Sequence, residues 1–149
     1  MEILAKFGFY KSGSFKQTKQ KFLEYNQDPH FIDFSLPKVY VWLEKSNNPE
    51  IIYVGKTQFS IKKRMGQHKQ GFKGKERKSS CSGSKKHKYL LVALNNGSDI
   101  EIWTRQSDVK GVIFNNNCYA AISHYSVEEE FFIQEFQPKL NCKIFLKQL

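Results

Sequence analysis

The chain has 149 residues and a mass of 17.5 kDa, the size of one domain, and its 24 Lys and Arg against 14 Asp and Glu leave a formal charge of +10. A composition that is 40% hydrophobic, with 13 Phe, 7 Tyr and 2 Trp, excludes a disordered, collagenous or coiled-coil chain and calls for a globular core. No apolar run approaches the roughly 18–20 residues of a membrane span and residues 1–10 lack the pattern of a signal peptide, so a soluble cytoplasmic protein with no membrane partner is expected.

Residues 1–37 read as an N-terminal accessory arm: an extended stretch over 2–10, Gly13 as a breaker, then Phe15, Phe22 and Tyr25 at loosely helical spacing over 15–25. Pro37 precedes a β-branched and aromatic run at 38–44 (KVYVWLE). After the turn residues Ser46, Asn47, Asn48 and Pro49 comes a second run at 51–56 (IIYVGK), so the two predict an antiparallel hairpin. On its strands Tyr40 shares a face with Trp42, and Tyr53 with Ile51 and Gly55. Residues 58–72 follow as a helix with Ile61, Arg64, Met65 and His68 on one face, and 71–84 as a loop rich in Gly, Ser and Lys. A second helix is expected at 86–96, with Leu90, Leu91 and Leu94 inward and Gly97 as its stop. A third strand is expected at 99–105, where DIEIWTR alternates. Beyond the Asn-rich stretch 115–117, which the sequence leaves open, a last helix runs over 126–137 and is halted by Pro138. Residues 38–149 thus form the main domain, of α+β class.

Three cysteines, Cys81, Cys118 and Cys142, are an odd number with no close pair, which argues for reduced thiols and against a disulfide framework or a ribbon type of zinc site. The positive charge is concentrated. Lys62, Lys63, Arg64, Lys69, Lys73, Lys75, Arg77, Lys78, Lys85, Lys86 and Lys88 face the single acid Glu76 within 27 residues, a pattern that suits the phosphates of a nucleic acid. Solvation of a loop is the plainer reading of such a run.

Polar groups also stand where apolar ones belong. On the last helix, with Glu129 set at zero and about 100° per residue, Phe132, Ile133 and Phe136 fall within about 60° of it, whereas Glu128 and Glu130 fall on the flanks. A carboxylate on a core-facing stripe costs several kcal/mol unless it is paired, hydrogen-bonded or bound to a metal. Ser126 and Glu129 at capping-box spacing offer one explanation, and a buried Arg64–Glu129 salt bridge another. Arg64 and His68 on their own helix face point to a third, a shared polar pocket. Gly55, Lys56 and Thr57 let a phosphate approach the backbone but do not make a P-loop.

The order Val39-Tyr40, Tyr53-Val54-Gly55-Lys56-Thr57, Arg64 and His68 four apart, Glu129, then Pro138-Lys139-Leu140-Asn141 resembles the GIY-YIG nuclease family. The likeness covers residues 38–143, and its layout is most similar to the small stand-alone phage endonuclease II and GIY-YIG restriction groups. Lys38 and Val39 depart from the motif's first two residues. The resemblance implies a small, mainly antiparallel three-stranded sheet flanked by helices. It also implies roles: Tyr40 at the attacking water, Tyr53 as second tyrosine, Arg64 on the scissile phosphate, Glu129 as the metal carboxylate and Asn141 as the residue that holds the site together. His68 matches a position that varies between histidine and tyrosine in the family.

Phosphodiester hydrolysis needs a deprotonated water, a cation at the developing charge and help for the leaving oxygen. Mg²⁺, for which Mn²⁺ substitutes, prefers oxygen ligands and keeps its waters, so Glu129 and a substrate phosphate suffice to hold it. Arg64 offers a fork of donors and Lys56 a point charge. A phenol with a pKa near 10 is a poor base, so either Tyr40 is activated by neighbours or His68 takes the proton. The expected activity is a Mg²⁺-dependent DNA endonuclease acting on duplex DNA, with the homo-oligomeric state open. The rival is a non-catalytic basic nucleic-acid-binding module.

Overall fold

The computed structural model describes residues 2–20, 22–72, 83–114 and 118–141. In chain order its elements are α1 (Glu2–Lys6), β1 (Tyr10–Gln17), β2 (Leu23–Gln27), β3 (Lys38–Lys45), β4 (Glu50–Thr57), α2 (Ile61–Phe72), α3 (Gly83–Asn95), β5 (Asp99–Gln106), β6 (Val109–Phe114), β7 (Cys118–Ser123) and α4 (Tyr125–Phe136). The α+β class and the antiparallel sheet agree with expectation. The sheet, however, has five strands in the order β2-β1-β5-β3-β4, because residues 1–37 supply two of them. β6 and β7 form a separate hairpin around residues 115–117, which lie outside the described residues.

The N-terminal region differs most from its sequence pattern. The stretch expected to be extended over 2–10 begins as α1, and the helical spacing over 15–25 belongs to the β1–β2 hairpin, in which Phe15 pairs with Tyr25. Ser12, Gly13 and Ser14 hide the strand because they do not alternate in hydrophobicity. Their polar groups are nonetheless satisfied: Ser12 Oγ donates to the Ile102 carbonyl at 3.0 Å, and Tyr25 folds over Gly13 to donate to the Ser12 carbonyl at 2.7 Å. A Cβ at Gly13 would meet the Tyr25 ring at 2.5 Å, so the close approach requires glycine.

β3 lies between β5 and β4 and is covered on both faces, so Lys38 to Leu43 are all buried. Alternation divides these residues between two cores. Tyr40 and Trp42 join Phe15, Tyr53, Met65, Phe72 and Leu90 beneath α2 and α3, while Val39, Val41 and Leu43 join Leu4, Phe9, Val54 and Phe132 beneath α1 and α4. Each such side chain contributes about 1.5–3 kcal/mol through burial. A bulge refines the expected faces of β4. Trp42 opposes Tyr53 and Leu43 opposes Ile51, so Ile52 is the extra residue, and Ile51 packs on the opposite face from Tyr53. Gly97 closes α3 in a left-handed conformation, with φ +84°. No helix among the described residues is long and apolar enough to cross a membrane.

Candidate active site

Tyr40 is the centre of the site. Its side chain crosses β4 at Gly55, its register partner, where an added Cβ would sit 2.5 Å from the phenol oxygen. The glycine therefore makes room for the Tyr40 phenol. Over the same oxygen lie two side chains one helical turn apart on α2: Arg64 Nε donates to it at 3.1 Å, and His68 Nε2 stands 2.6 Å away. Ile61 and Met65, on the same face of α2, are buried beneath them. Arg64 also donates from Nη1 to Gln67 at 2.9 Å.

Burial governs the ionisation of this group. It raises the Tyr40 phenol well above its ordinary value, with Tyr53 adding and Arg64 opposing, and it raises Tyr53 against the pull of Arg64. The His68 ring, packed against Trp42, Tyr53 and Phe72, is held well below its usual pKa by burial and then by the cations Arg64 and Lys86. His68 is therefore neutral at pH 7. For Arg64, burial acts to lower the pKa, but Tyr40, Tyr53 and Glu129 more than offset it.

Glu129 reaches the site from α4, on the other side of the edge strand β4. Lys56 Nζ holds its Oε2 at 2.9 Å, and Glu129 is near enough to shift Arg64, Tyr53 and Lys86. The capping box is not formed, since the N-cap of α4 is His124 and no side chain caps it. Nor is there an Arg64–Glu129 ion pair among the described residues. The neighbouring Glu128 has a separate role: it accepts from Arg105 Nη1 at 2.9 Å and from the Asp108 amide at 3.3 Å, docking α4 on the end of β5.

Lys86 is a member of this cluster that the sequence reading assigned only to DNA contact. Its ammonium lies 4.3 Å above the Tyr53 ring, and burial, then Arg64, lower its pKa to about 8 against the attraction of Glu129. The spacing could have shown this, because Lys86 precedes the buried Leu90 by four residues and so shares its helix face. Lys62, Lys63, Lys85 and Lys88 are exposed on α2 and α3, and Lys69 is paired with Glu24 at 3.3 Å. Lys73, Lys75, Arg77 and Lys78 lie outside the described residues.

Asn141 pins the edge strand itself. Its Oδ1 accepts from the Val54 amide at 2.8 Å and its Nδ2 donates to the Val54 carbonyl at 2.7 Å, while the Leu140 amide donates to the Ile52 carbonyl at 2.9 Å. Tyr53, Gly55 and Lys56 flank the residue so held. Among the described residues no three His, Cys, Asp or Glu come together as a metal cluster, and Glu129 is the carboxylate that the ion pair with Lys56 places here.

Comparison with known proteins bears on the family and the fold. Residues 37–99 match the family model of the GIY-YIG catalytic domain. The chain is 29% identical to Endonuclease II of Enterobacteria phage T4 over 122 residues, which span 81% of this chain and 86% of that protein. A solved structure of a bacteriophage T4 EndoII mutant superposes with a TM-score of 0.72 at 23% identity, covering 95% of this chain and 97% of that one. A restriction endonuclease solved in complex with product DNA superposes at 0.52 and 15% identity, covering 99% and 85%.

Proposed function

We propose, from the match of residues 37–99 to the GIY-YIG catalytic domain, that this chain is a GIY-YIG nuclease and a Mg²⁺-dependent endonuclease that hydrolyses phosphodiester bonds of duplex DNA. The observation that carries the proposal is the hydrogen-bonded group Arg64–Tyr40–His68 standing beside the Lys56–Glu129 pair.

The chemistry follows from the donors. Arg64 donates to the Tyr40 oxygen, so the phenol proton is free to go to the neutral His68 at Nε2. This turns the choice between Tyr40 and His68 into a relay: Tyr40 takes the proton of the attacking water as His68 takes that of Tyr40. A phenol raised by burial is a poor base alone, and general-base assistance of this kind supplies roughly 10²–10⁴ in rate. Arg64 holds Tyr40 through Nε and Gln67 through Nη1 and also bonds the Tyr53 side chain, and its guanidinium fork is the donor we assign to a non-bridging phosphate oxygen. Lys86, on the same side, adds a second cation.

Glu129 fits a metal of this type. Lys56 occupies Oε2, and Oε1 has no partner among the described residues. A lone carboxylate suits Mg²⁺, which retains waters and takes its other ligands from the substrate, whereas Zn²⁺ would ask for a cluster of nitrogen and sulfur ligands that these residues do not offer. Bound there, the ion would neutralise charge building on the leaving and non-bridging oxygens.

Nicking of supercoiled plasmid with Mg²⁺ or Mn²⁺, and its loss with EDTA, tests the proposal. Retarded plasmid with no nicking under any metal would favour the non-catalytic binding module instead.

A further inference from the structure

Position 38 is one of two that depart from the motif, and the lysine there is only 4% exposed. Its ammonium donates to the Phe34 carbonyl and stands 3.4 Å from Asp33 Oδ1. Asp33 in turn accepts from the Ile61 amide at 2.7 Å and the Lys62 amide at 2.9 Å, the first two N–H groups of α2. The local cap of α2 is already present, since Ser60 Oγ accepts from the Lys63 amide at 3.2 Å. Asp33 comes from 28 residues upstream and supplies what α2 lacks. The first turn has no acid of its own and carries Lys62, Lys63 and Arg64 at the positive end of the helix dipole.

Lys38 and Tyr40 are two residues apart on β3 and so share a face. α2 is therefore tied to that face twice, at Ile61 and Lys62 through Asp33 and Lys38, and at Arg64 and His68 through Tyr40. Arg64 sits only about 3–5 Å along the axis from the anchored amides. Granting the endonuclease reading on which this rests, we infer that Lys38 and Asp33 are positioning residues that set α2 so that Arg64 and His68 meet Tyr40.

The test compares Lys38→Met and Asp33→Asn with Lys11→Met, a control that removes an exposed lysine paired with Glu101. Single-turnover plasmid cleavage, duplex affinity and the NMR resonance of the Arg64 Nε–H group are measured on each. Both variants should cleave on the order of 10- to 100-fold more slowly, the effect expected of an ångström-scale misplacement, with affinity within about threefold and the Arg64 resonance shifted. The control should match the native chain. In an Arg64→Ala background, Lys38→Met should lower the rate by less than about threefold further. Native rates with an unmoved resonance would overturn the inference, and so would an undiminished loss in the Arg64→Ala background, which marks general loosening. Should Lys38→Met fail to fold, Asp33→Asn decides by the same criteria. A native chain that cleaves no DNA sinks the endonuclease reading alone, and the Arg64 resonance then decides this inference.

Discussion

The two faces of β3 and β4 carry opposite chemistries on the same backbone. Beneath α1 and α4, Val39, Val41, Leu43 and Val54 meet Phe9 and Phe132 in an apolar layer. Beneath α2 and α3, Tyr40, Trp42 and Tyr53 have aromatic bodies, but the Tyr40 hydroxyl gathers Arg64 and His68 and the Tyr53 ring carries Lys86. Strand alternation alone separates the two roles, and Glu129 joins the second from the side of the first by passing around the edge strand. A polar site can thus be held rigidly by a hydrophobic layer one residue out of phase with it.

The largest effect expected is from Glu129→Gln, which should abolish plasmid cleavage while leaving DNA binding intact. Glu128→Gln, one residue away, should keep the cleavage rate but melt earlier by about 1.5–3 kcal/mol as the Arg105 and Asp108 contacts weaken. The reverse pattern would reassign the two carboxylates.

Arg64→Ala should lower the single-turnover rate by on the order of 10² or more, as loss of a preorganised donor does. A variant that is markedly unstable yet cleaves at the native rate when folded would make Arg64 a packing residue of its face.

Lys86 gives a smaller, pH-dependent effect. Its pKa of about 8 in the free protein rises when a phosphate stabilises the charged form, so affinity is complete below pH 8 and falls as pH rises through it. Between pH 7 and 9 the fall should reach at most about tenfold, and Lys86→Arg, always charged, should flatten it. Equal slopes in the two proteins would remove Lys86 from the phosphate path.

Leu43→Ala tests the opposite face and should leave the rate of the folded enzyme unchanged. Its burial predicts a destabilisation of about 2–5 kcal/mol by urea unfolding, and a rate loss larger than the site variants show would mean that the faces are not separable.

The core elements of the site were legible because two simple periods place them. Tyr40 and Tyr53 lie on alternating runs, and Arg64 and His68 lie four apart on a helix, so their juxtaposition needed only that the helix pack on the hairpin. The partner of Glu129 was not legible, because the choice between Lys56, Arg64 and Ser126 depends on how α4 docks, and that involves Phe132 in the core and Arg105 and Asp108 at the end of β5. Residues 1–37 misled because a strand built on Ser12, Gly13 and Ser14 is held by hydrogen bonds to its neighbours and leaves no hydrophobic trace. The β6–β7 hairpin had a signal of its own in the turn-favouring asparagines at 115–117 between two β-branched or aromatic runs.

Asn141 places a side-chain amide where an outer strand would otherwise bind. An open strand edge is a template on which a foreign chain can pair, and most proteins blunt theirs with charge, proline or a bulge. Here one amide copies a strand's donor and acceptor at Val54 and closes the edge from within the same chain. An aspartate in its place would accept from the Val54 amide but could not donate to the carbonyl, leaving half the template exposed. Protection from aggregation and rigidity beside Tyr53 and Gly55 therefore come from the same short segment, Leu140 and Asn141.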